Sequence, residues 1–162
     1  MRKHDRKIVL RNISLIVYDF DGVLTDNKVI LREDGMESVV LNRSDGMAMR
    51  MIMDRGIEQI IITSEVNNIA LARSKKLGIA AMSRVNDKKR ALVEYCGKRD
   101  VPLSRVLYIG NDINDLEVMK AVGVAACPSD ACDEIRTIAD LILRSRGGCG
   151  VVRELLNSLQ AL

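Results

Sequence analysis

Short apolar runs recur along this chain, and polar or glycine residues bound each of them. The runs are continuous rather than alternating, which is typical of strands that are buried on both faces of a sheet. They are LIVY (15–18), IIIT (60–63), VLYIG (106–110), VGVAA (122–126) and LILR (141–144). Helix-like stretches lie between them. Strands that alternate with helices predict an α/β fold with a mainly parallel, Rossmann-like sheet and helices on both of its faces.

The helix-like stretches carry end signals of their own. They are 46–56, 67–78, 87–100 and 114–123. Gly56 and Gly78 close the first two stretches, at a position where glycine often caps a helix. Pro102 follows the third, and the fourth opens with helix-capping residues. These signals agree with the alternation of strand and helix.

Residues 28–43 break that alternation, because two extended runs there flank a turn at Glu-Asp-Gly. This pattern predicts a β-hairpin. The chain of 162 residues suits one domain with a sizeable core. We therefore expect a single domain over 1–162, with the hairpin at about 28–43, a C-terminal tail at about 144–162 and no cap domain. The tail contains GGCG (147–150), which lacks the full GxGxxG pattern and fits a flexible hinge before the last helix.

Composition argues against several classes of partner. The net charge of +3 is too small to indicate nucleic-acid binding, and one Phe, three Tyr and no Trp leave no stacking platform for single strands. No apolar run is long enough to span a bilayer, and the basic start MRKHDRKIVLRN lacks the features of a signal peptide. Four cysteines without CxxC spacing indicate reduced thiols. We expect a cytoplasmic protein that binds neither nucleic acid nor a membrane.

The single histidine of the chain, His4, lies close to its start. A Ser-His-Asp triad, a Cys-His pair and a His-ligated zinc site are therefore excluded as explanations of activity. An enzyme with this composition has to work with carboxylates, hydroxyls, lysines and a hard metal ion.

Polar side chains follow three of the predicted strands, at the edge where open parallel sheets bind ligands. Asp19 and Asp21 follow the first strand. The second strand runs into Thr63, Ser64 and Glu65, the third into Gly110, Asn111, Asp112 and Asp115, and Lys88 opens the helix between them. Residues that are distant in sequence should therefore meet at one edge of the sheet.

The clustered carboxylates at this edge repel one another unless a cation compensates them. A Mg²⁺ ion held by Asp19, the main-chain carbonyl of Asp21 and a group at Asn111 or Asp112 would neutralise the cluster. Asp19 could then attack phosphorus as a nucleophile. Asp21 could protonate the leaving oxygen and later activate water.

Hydroxyl and ammonium groups are available to hold the phosphoryl oxygens. Thr63 and Ser64 offer hydroxyls, and Lys88 offers an ammonium group, although the neighbouring Lys89 competes for this role. In phosphoryl transfer a protein mainly positions groups and stabilises charge, which this set of residues is able to do.

The order DFDGVLTD, IITS, DKK and GNDIND resembles the haloacid dehalogenase superfamily of aspartate-nucleophile phosphatases. The resemblance makes Asp19 the nucleophile, Asp21 the acid/base, Thr63 the phosphate hydroxyl and Lys88 the motif-three lysine. It makes GNDIND the metal-binding loop, and it covers residues 15 to about 155.

LNRSDGMAM (41–49), the hairpin before it and RGGCGVVRE (146–154) resemble a capless branch of that superfamily. This branch contains phosphatases of 3-deoxy-D-manno-octulosonate 8-phosphate and of nonulosonate (sialic-acid-type) 9-phosphates. The resemblance implies a sugar-acid phosphate substrate and a homotetramer in which a neighbouring subunit closes each active site. Arg153 is either a surface residue or a residue that reaches a neighbour's site.

Asn111 departs from the pattern of most active members, which carry Asp after the glycine of this motif. Its amide oxygen is a neutral metal ligand, and Asp112 is adjacent. In this respect the chain resembles the phosphatase-like domains that are fused to some sialate-activating cytidylyltransferases. A weakly active or inactive oligomerisation module is therefore the alternative function. A phosphoacceptor signalling domain fits less well, since the run at 60–63 carries no acceptor Asp at its end.

Glu65 and Lys76 bear on the choice of substrate. The octulosonate branch typically carries Arg at the position of Glu65, whereas the nine-carbon branch resembles this chain at both positions. Carboxylates accept hydrogen bonds from sugar hydroxyls, and Arg instead seeks a carboxylate or phosphate. We therefore expect a nonulosonate 9-phosphate to be preferred, with solvated surface charges as the alternative reading of both residues.

Overall fold

The computed structural model describes residues 12–160, so the basic N-terminal segment with His4 lies outside the described residues. A parallel sheet of six strands forms its centre, in the order β5-β4-β1-β6-β7-β8. The strands are β1 (Leu15–Tyr18), β4 (Glu58–Ile62), β5 (Ala80–Met82), β6 (Val106–Ile109), β7 (Val124–Cys127) and β8 (Leu141–Ile142). The predicted α/β fold with a parallel sheet is confirmed.

Helices cover both faces of this sheet, as predicted. They are α1 (Arg43–Met53), α2 (Ile69–Leu77), α3 (Lys88–Gly97), α4 (Leu116–Met119), α5 (Asp133–Ile138) and α6 (Val151–Gln160), with 3₁₀ turns at Leu103–Arg105 and Ile113–Asp115. Ile16 and Tyr18 of β1 face a core cluster shared with α1, α2 and α6. Leu15 and Val17 face a second cluster shared with α3, α4 and α5. This alternation explains the continuous apolar run of β1, because each of its residues enters one of two cores.

Two elements, β5 and α5, were not predicted from the sequence. β5 is a short edge strand whose Ala80 and Ala81 are at most half-buried, so it lacks the apolar signal of the central strands. Helix α1 begins earlier than the stretch 46–56 predicts, because the side chain of Asn42 caps it by accepting a hydrogen bond from the Ser44 amide. Gly78 is the C-cap of α2 with φ of 73°, as predicted.

The predicted hairpin is present but short. β2 (Ile30–Leu31) pairs antiparallel with β3 (Glu37–Ser38). Gly35 closes the turn with φ of 79°, and its amide donates to the carbonyl of Arg32. Side chains along this segment remain strongly exposed, namely Val29, Ile30, Leu31, Met36 and Val40. Val39 and Leu41, in contrast, pack against the core. Among residues 12–160, no helix has the length and apolar character needed to cross a membrane.

Candidate active site

A cavity of about 340 Å³ opens at the carboxyl ends of β1, β4 and β6. These strands are neighbours in the sheet, so the loops that follow them meet at one edge. The cavity is lined by Asp19, Asp21, Asn27, Thr63, Ser64, Glu65, Asn111, Asp112 and Asn114. The structure thus brings together most of the residues that the sequence nominated.

Asp19 follows β1 directly and is only 5% exposed. Its amide donates to the carbonyl of Ile109 (2.9 Å), which ties it to the end of β6. Its Oδ1 accepts from the Phe20 amide (2.7 Å) and lies 2.8 Å from Nζ of Lys88. Burial and the nearby Asp115 raise the pKa of Asp19 to about 8, although Lys88 opposes the shift. Lys88 alone therefore does not supply enough positive charge to keep the Asp19 carboxylate ionised at neutral pH.

Lys88 is buried between two carboxylates rather than in the cavity lining. Its Nζ lies 2.8 Å from Asp19 and 2.7 Å from Asp115. Burial lowers the pKa of Lys88, but Asp19 and Asp115 outweigh this effect and raise it, so the ammonium group stays charged. Lys89 is exposed. Of the two lysines, Lys88 is thus the one at the site, and its contacts hold Asp19 in place.

Asp115 is fully buried and connects this pair to the loop after β6. It accepts hydrogen bonds from the Tyr108 hydroxyl (2.8 Å) and from the Asn111 amide (2.9 Å). A side chain at Gly110 would collide with Asp115, because an added Cβ would lie 2.6 Å from it. Asp115 therefore fixes the path of the main chain that carries Asn111.

Asp21 is half-buried and is oriented by Thr25. The Thr25 hydroxyl accepts from the Gly22 amide (3.2 Å) and donates to Oδ1 of Asp21 (3.5 Å). Burial and the charge of Glu65 raise the pKa of Asp21. A carboxyl group with a raised pKa holds a proton nearer to neutral pH, which suits a general acid.

The side-chain amide of Asn111 faces both catalytic candidates. One of its terminal atoms lies 3.1 Å from Oδ2 of Asp19 and 2.9 Å from the main-chain oxygen of Asp21. With nitrogen at this position, Asn111 donates hydrogen bonds to both oxygens. With oxygen there, Asn111 would offer a Mg²⁺ ion a third oxygen beside Oδ2 of Asp19 and the main-chain carbonyl of Asp21. The same residues thus fit a magnesium ion and also satisfy each other without it.

Asp112 lines the cavity, but its side chain has a structural task. Its Oδ1 accepts from the Ile113 amide (2.8 Å) and caps the turn before α4. Within residues 12–160, no group of three or more His, Cys, Asp or Glu side chains is arranged to hold a metal. The oxygens at Asp19, Asp21 and Asn111 form a different set, because it includes one main-chain carbonyl and one amide.

Thr63 and Ser64 follow β4 on the opposite wall. Thr63 is 1% exposed, and its Oγ1 accepts from the Glu65 amide (3.0 Å), which leaves its proton free to donate. Ser64 lies within 3.5 Å of the Asn114 side-chain amide. Glu65 is exposed at the mouth of the cavity.

Lys76 and Arg153 lie elsewhere in this chain. Lys76 is exposed in the last turn of α2. The Arg153 guanidinium is directed at α1, where it donates to the carbonyl of Ser44 (3.4 Å), and it borders a separate cavity beside α6. Within one subunit, neither residue lines the cavity of Asp19.

Asn27 and Asn114 line the cavity and were missed in the sequence. Asn27 has a φ of 64°, and apart from glycine Asn is the residue that tolerates this conformation best. The sequence signal that could have identified Asn27 is its position in the turn after Thr25 and Asp26. Asn114 lies within the metal-loop motif, but nothing in its spacing shows that it reaches across to Ser64.

Residues 54–155 match a family described as haloacid dehalogenase-like hydrolase. The 3-deoxy-D-manno-octulosonate 8-phosphate phosphatase KdsC of Escherichia coli K12 is 32% identical over 149 residues, which cover 91% of this chain and 79% of that protein. The chain belongs to the haloacid dehalogenase-like hydrolases. It falls in a KdsC-like branch and is a phosphatase, a phosphoric monoester hydrolase.

Solved structures of haloacid dehalogenase-like hydrolases agree with this fold along nearly the whole chain. The phosphatase from Moraxella catarrhalis, in complex with magnesium, phosphate and KDO, has a TM-score of 0.95 at 29% identity and covers 99% of this chain and 92% of its own. A cobalt-bound phosphatase from Haemophilus influenzae has a TM-score of 0.90 at 27% identity, with coverages of 94% and 90%. A hydrolase from Streptomyces avermitilis is 34% identical with a TM-score of 0.90, with coverages of 92% and 86%.

Proposed function

We propose that this phosphatase hydrolyses a sugar-acid phosphate with Mg²⁺ through an aspartyl-phosphate on Asp19. The observation that carries the proposal is that Asp19, Asp21 and Thr63 line the same cavity. The names of its relatives, which are sugar-acid phosphate phosphatases, support the substrate class.

Each residue has a distinct task in the proposed reaction. A carboxylate oxygen of Asp19 attacks phosphorus, while Phe20 and Lys88 hold the carboxylate in place at Oδ1. The bond from phosphorus to the ester oxygen breaks, and Asp21 gives that oxygen its proton. Asp21 then takes a proton from the water that hydrolyses the aspartyl-phosphate. Thr63 donates to a phosphoryl oxygen, and Lys88 keeps the Asp19 carboxylate oriented throughout.

The charges around the cavity support a metal ion. Asp19, Asp21, Glu65 and Asp112 line it, and among the described residues no Lys or Arg does. The charge of Lys88 is already balanced by Asp19 and Asp115. A phosphate dianion therefore needs added positive charge to enter. Asp19, the Asp21 carbonyl and Asn111 would hold a Mg²⁺ ion, which would supply that charge and polarise the phosphoryl group.

A second copy of the chain is the proposed partner. The exposed apolar side chains of the hairpin, from Val29 to Val40, form a surface that one subunit leaves uncovered. We expect a homotetramer in which these hairpins associate and a neighbour contributes to the charge and closure of each site. Light scattering at micromolar concentration measures the mass, and a monomer would contradict this expectation.

The proposed substrate preference is for a nonulosonate 9-phosphate over 3-deoxy-D-manno-octulosonate 8-phosphate. Glu65 stands exposed at the mouth of the cavity, where it is able to accept hydrogen bonds from the hydroxyls of the longer sugar. Asn27 and Asn114 add amide groups to the same lining, which suits a polyhydroxy chain rather than an apolar one. The role of Lys76 then requires a neighbouring subunit, because it lies outside this cavity.

Replacing Glu65 with Arg is expected to shift the ratio of kcat/KM for the two substrates toward the octulosonate by about 10-fold or more. The reason is that Arg favours an anionic partner, whereas Glu favours hydroxyls. Steady-state kinetics on both phosphates measures the ratio, and Glu94→Arg on the exposed face of α3 is the matched control. A wild-type preference for the octulosonate, or an unchanged ratio in the variant, would remove Glu65 from this role.

Asn111 supports the alternative function, a weakly active oligomerisation module. Its side-chain amide donates hydrogen bonds to the oxygens of Asp19 and Asp21, which therefore have a partner without a metal ion. Asn111→Asp is expected to tighten Mg²⁺ binding about 10-fold and to destabilise the metal-free protein. An aspartate at this position adds a carboxylate ligand for the cation. Without the cation, this carboxylate faces Asp19 and is unable to donate the hydrogen bonds that Asn111 donates, which lowers the stability of the protein. Calorimetry with Mg²⁺ and thermal unfolding in EDTA measure the two effects. Unchanged binding in Asn111→Asp together with weaker binding in Asp112→Asn would make Asp112 the ligand instead.

A further inference from the structure

We propose that the segment Arg146–Gly150 holds the loop after β1 in its reactive position, so that Gly147 is a positioning residue for Asp21. The loop in question spans residues 20–26 and carries the Asp21 side chain and carbonyl. This inference rests on the function proposed above, because the loop that it concerns carries Asp21 of the same site. The sequence predicted only a hinge at this segment.

Gly147 and Gly148 touch the main chain of the loop directly. A Cβ added to Gly147 would lie 2.2 Å from the carbonyl oxygen of Gly22 and 2.9 Å from that of Thr25. A Cβ added to Gly148 would lie 2.7 Å from the Asp26 amide nitrogen. The Gly148 amide donates to the carbonyl of Val23 (3.0 Å). Contacts this close to main-chain atoms, which cannot swing aside, leave room for glycine alone.

The segment is itself anchored on both sides, which a free hinge would not be. Asp130 accepts from the Gly147 amide (2.9 Å) and from Nε of Arg146 (3.2 Å). Asn42 donates its side-chain amide to the carbonyl of Gly148 (3.3 Å). Glu154 of α6 accepts from the amides of residues 144 and 145. A shift of the loop would therefore have to displace this anchored backbone as well.

Asn111 makes a second close contact with the loop. Gly22 has a φ of 82°, and a Cβ there would lie 2.0 Å from the Asn111 side chain. The main chain at Gly22 is thus in close contact with both Asn111 and Gly147, and Asp21 precedes Gly22 in the chain. A misplacement of about 1 Å at a reacting group is able to cost about 100-fold in rate. These two contacts accordingly restrict how the loop, and with it Asp21, is able to move.

The test is Gly147→Ala, with Gly97→Ala as the matched control because nothing lies within 4 Å of a Cβ at Gly97. We expect kcat to fall by about 10-fold or more while KM changes less than about 3-fold, since the loop positions chemistry rather than binds the sugar. In the metal-free protein, amide hydrogen exchange of residues 19–27 should be faster than in wild type, whereas that of β6 should be unchanged. Wild-type kcat and wild-type exchange in the folded variant would overturn the proposal.

If Gly147→Ala does not fold, Asp130→Ala tests whether the segment Arg146–Gly150 positions the loop. It removes the two hydrogen bonds that Asp130 accepts from the segment, without inserting an atom near the loop. We therefore expect the same faster exchange at residues 19–27 with a kcat loss of about 3-fold. Wild-type exchange there would equally overturn the proposal. If the wild-type protein released no phosphate from any sugar-acid phosphate, the proposed function would fail, and hydrogen exchange in both variants would still decide the role of Gly147.

Discussion

Asp19→Asn is expected to lower phosphate release by about 10⁴-fold or more, because an amide is a poor nucleophile and a weaker metal ligand. The fold should survive the change. Burial raises the pKa of Asp19 to about 8, so its ionised form is disfavoured in the metal-free protein. Lys88 also keeps its second partner, Asp115, at 2.7 Å. The melting temperature in EDTA should therefore equal or exceed that of wild type.

Phosphate release from sugar-acid phosphates with Mg²⁺, followed alongside thermal unfolding in EDTA, measures both expectations. Asp54→Asn, the same chemical change at the exposed C-cap of α1, is the control and should leave turnover within about 2-fold of wild type. Residual turnover near the wild-type level in pure Asp19→Asn protein would show that Asp19 does not form the covalent intermediate.

The location of the site could be predicted because it follows from topology. Continuous apolar runs indicate strands buried on both faces, and parallel strands deliver their following loops to one edge. That was enough to bring Asp19, Thr63 and Asn111 together before any contact was known. The prediction needed only the order of strands and helices, which the glycine and capping signals support.

The contacts within the site could not be predicted, because they depend on where long side chains end. Lys88 was nominated for the phosphate, but its ammonium group lies between Asp19 and Asp115, and both placements suit a lysine at the start of α3. The sequence predicted a hinge at Gly147. Its contact with Gly22 could not be predicted, because the two residues are far apart along the chain. β5 was missed for a different reason, as its alanines carry little apolar signal at the edge of the sheet.

Lys88→Met is expected to destabilise the protein by about 3–5 kcal/mol at neutral pH and to abolish most activity. Lys88 is 2% exposed, and its removal leaves the fully buried Asp115 without its cation and Asp19 without a hydrogen-bond donor. Methionine keeps the length of the stem, so lost packing contributes little. Urea unfolding in EDTA measures the free energy, and Lys89→Met, the exposed neighbour on α3, should change it by less than about 0.5 kcal/mol.

The pH dependence of this loss of stability distinguishes two possible roles of Lys88. It is either the ion-pair partner of Asp19 and Asp115 or a ligand of the phosphate. The pKa of Asp19, already about 8 beside Lys88, rises further without it. A carboxyl group with a raised folded pKa contributes stability at low pH that is lost as the pH rises through that pKa. Below about pH 8 Asp19 is protonated in both folded proteins. The deficit of Lys88→Met should therefore be smaller near about pH 7 than near about pH 10, and Asp115→Asn added to it should restore part of the stability. A variant that is as stable as wild type at both pH values, with only KM raised, would mean that Lys88 binds the phosphate instead.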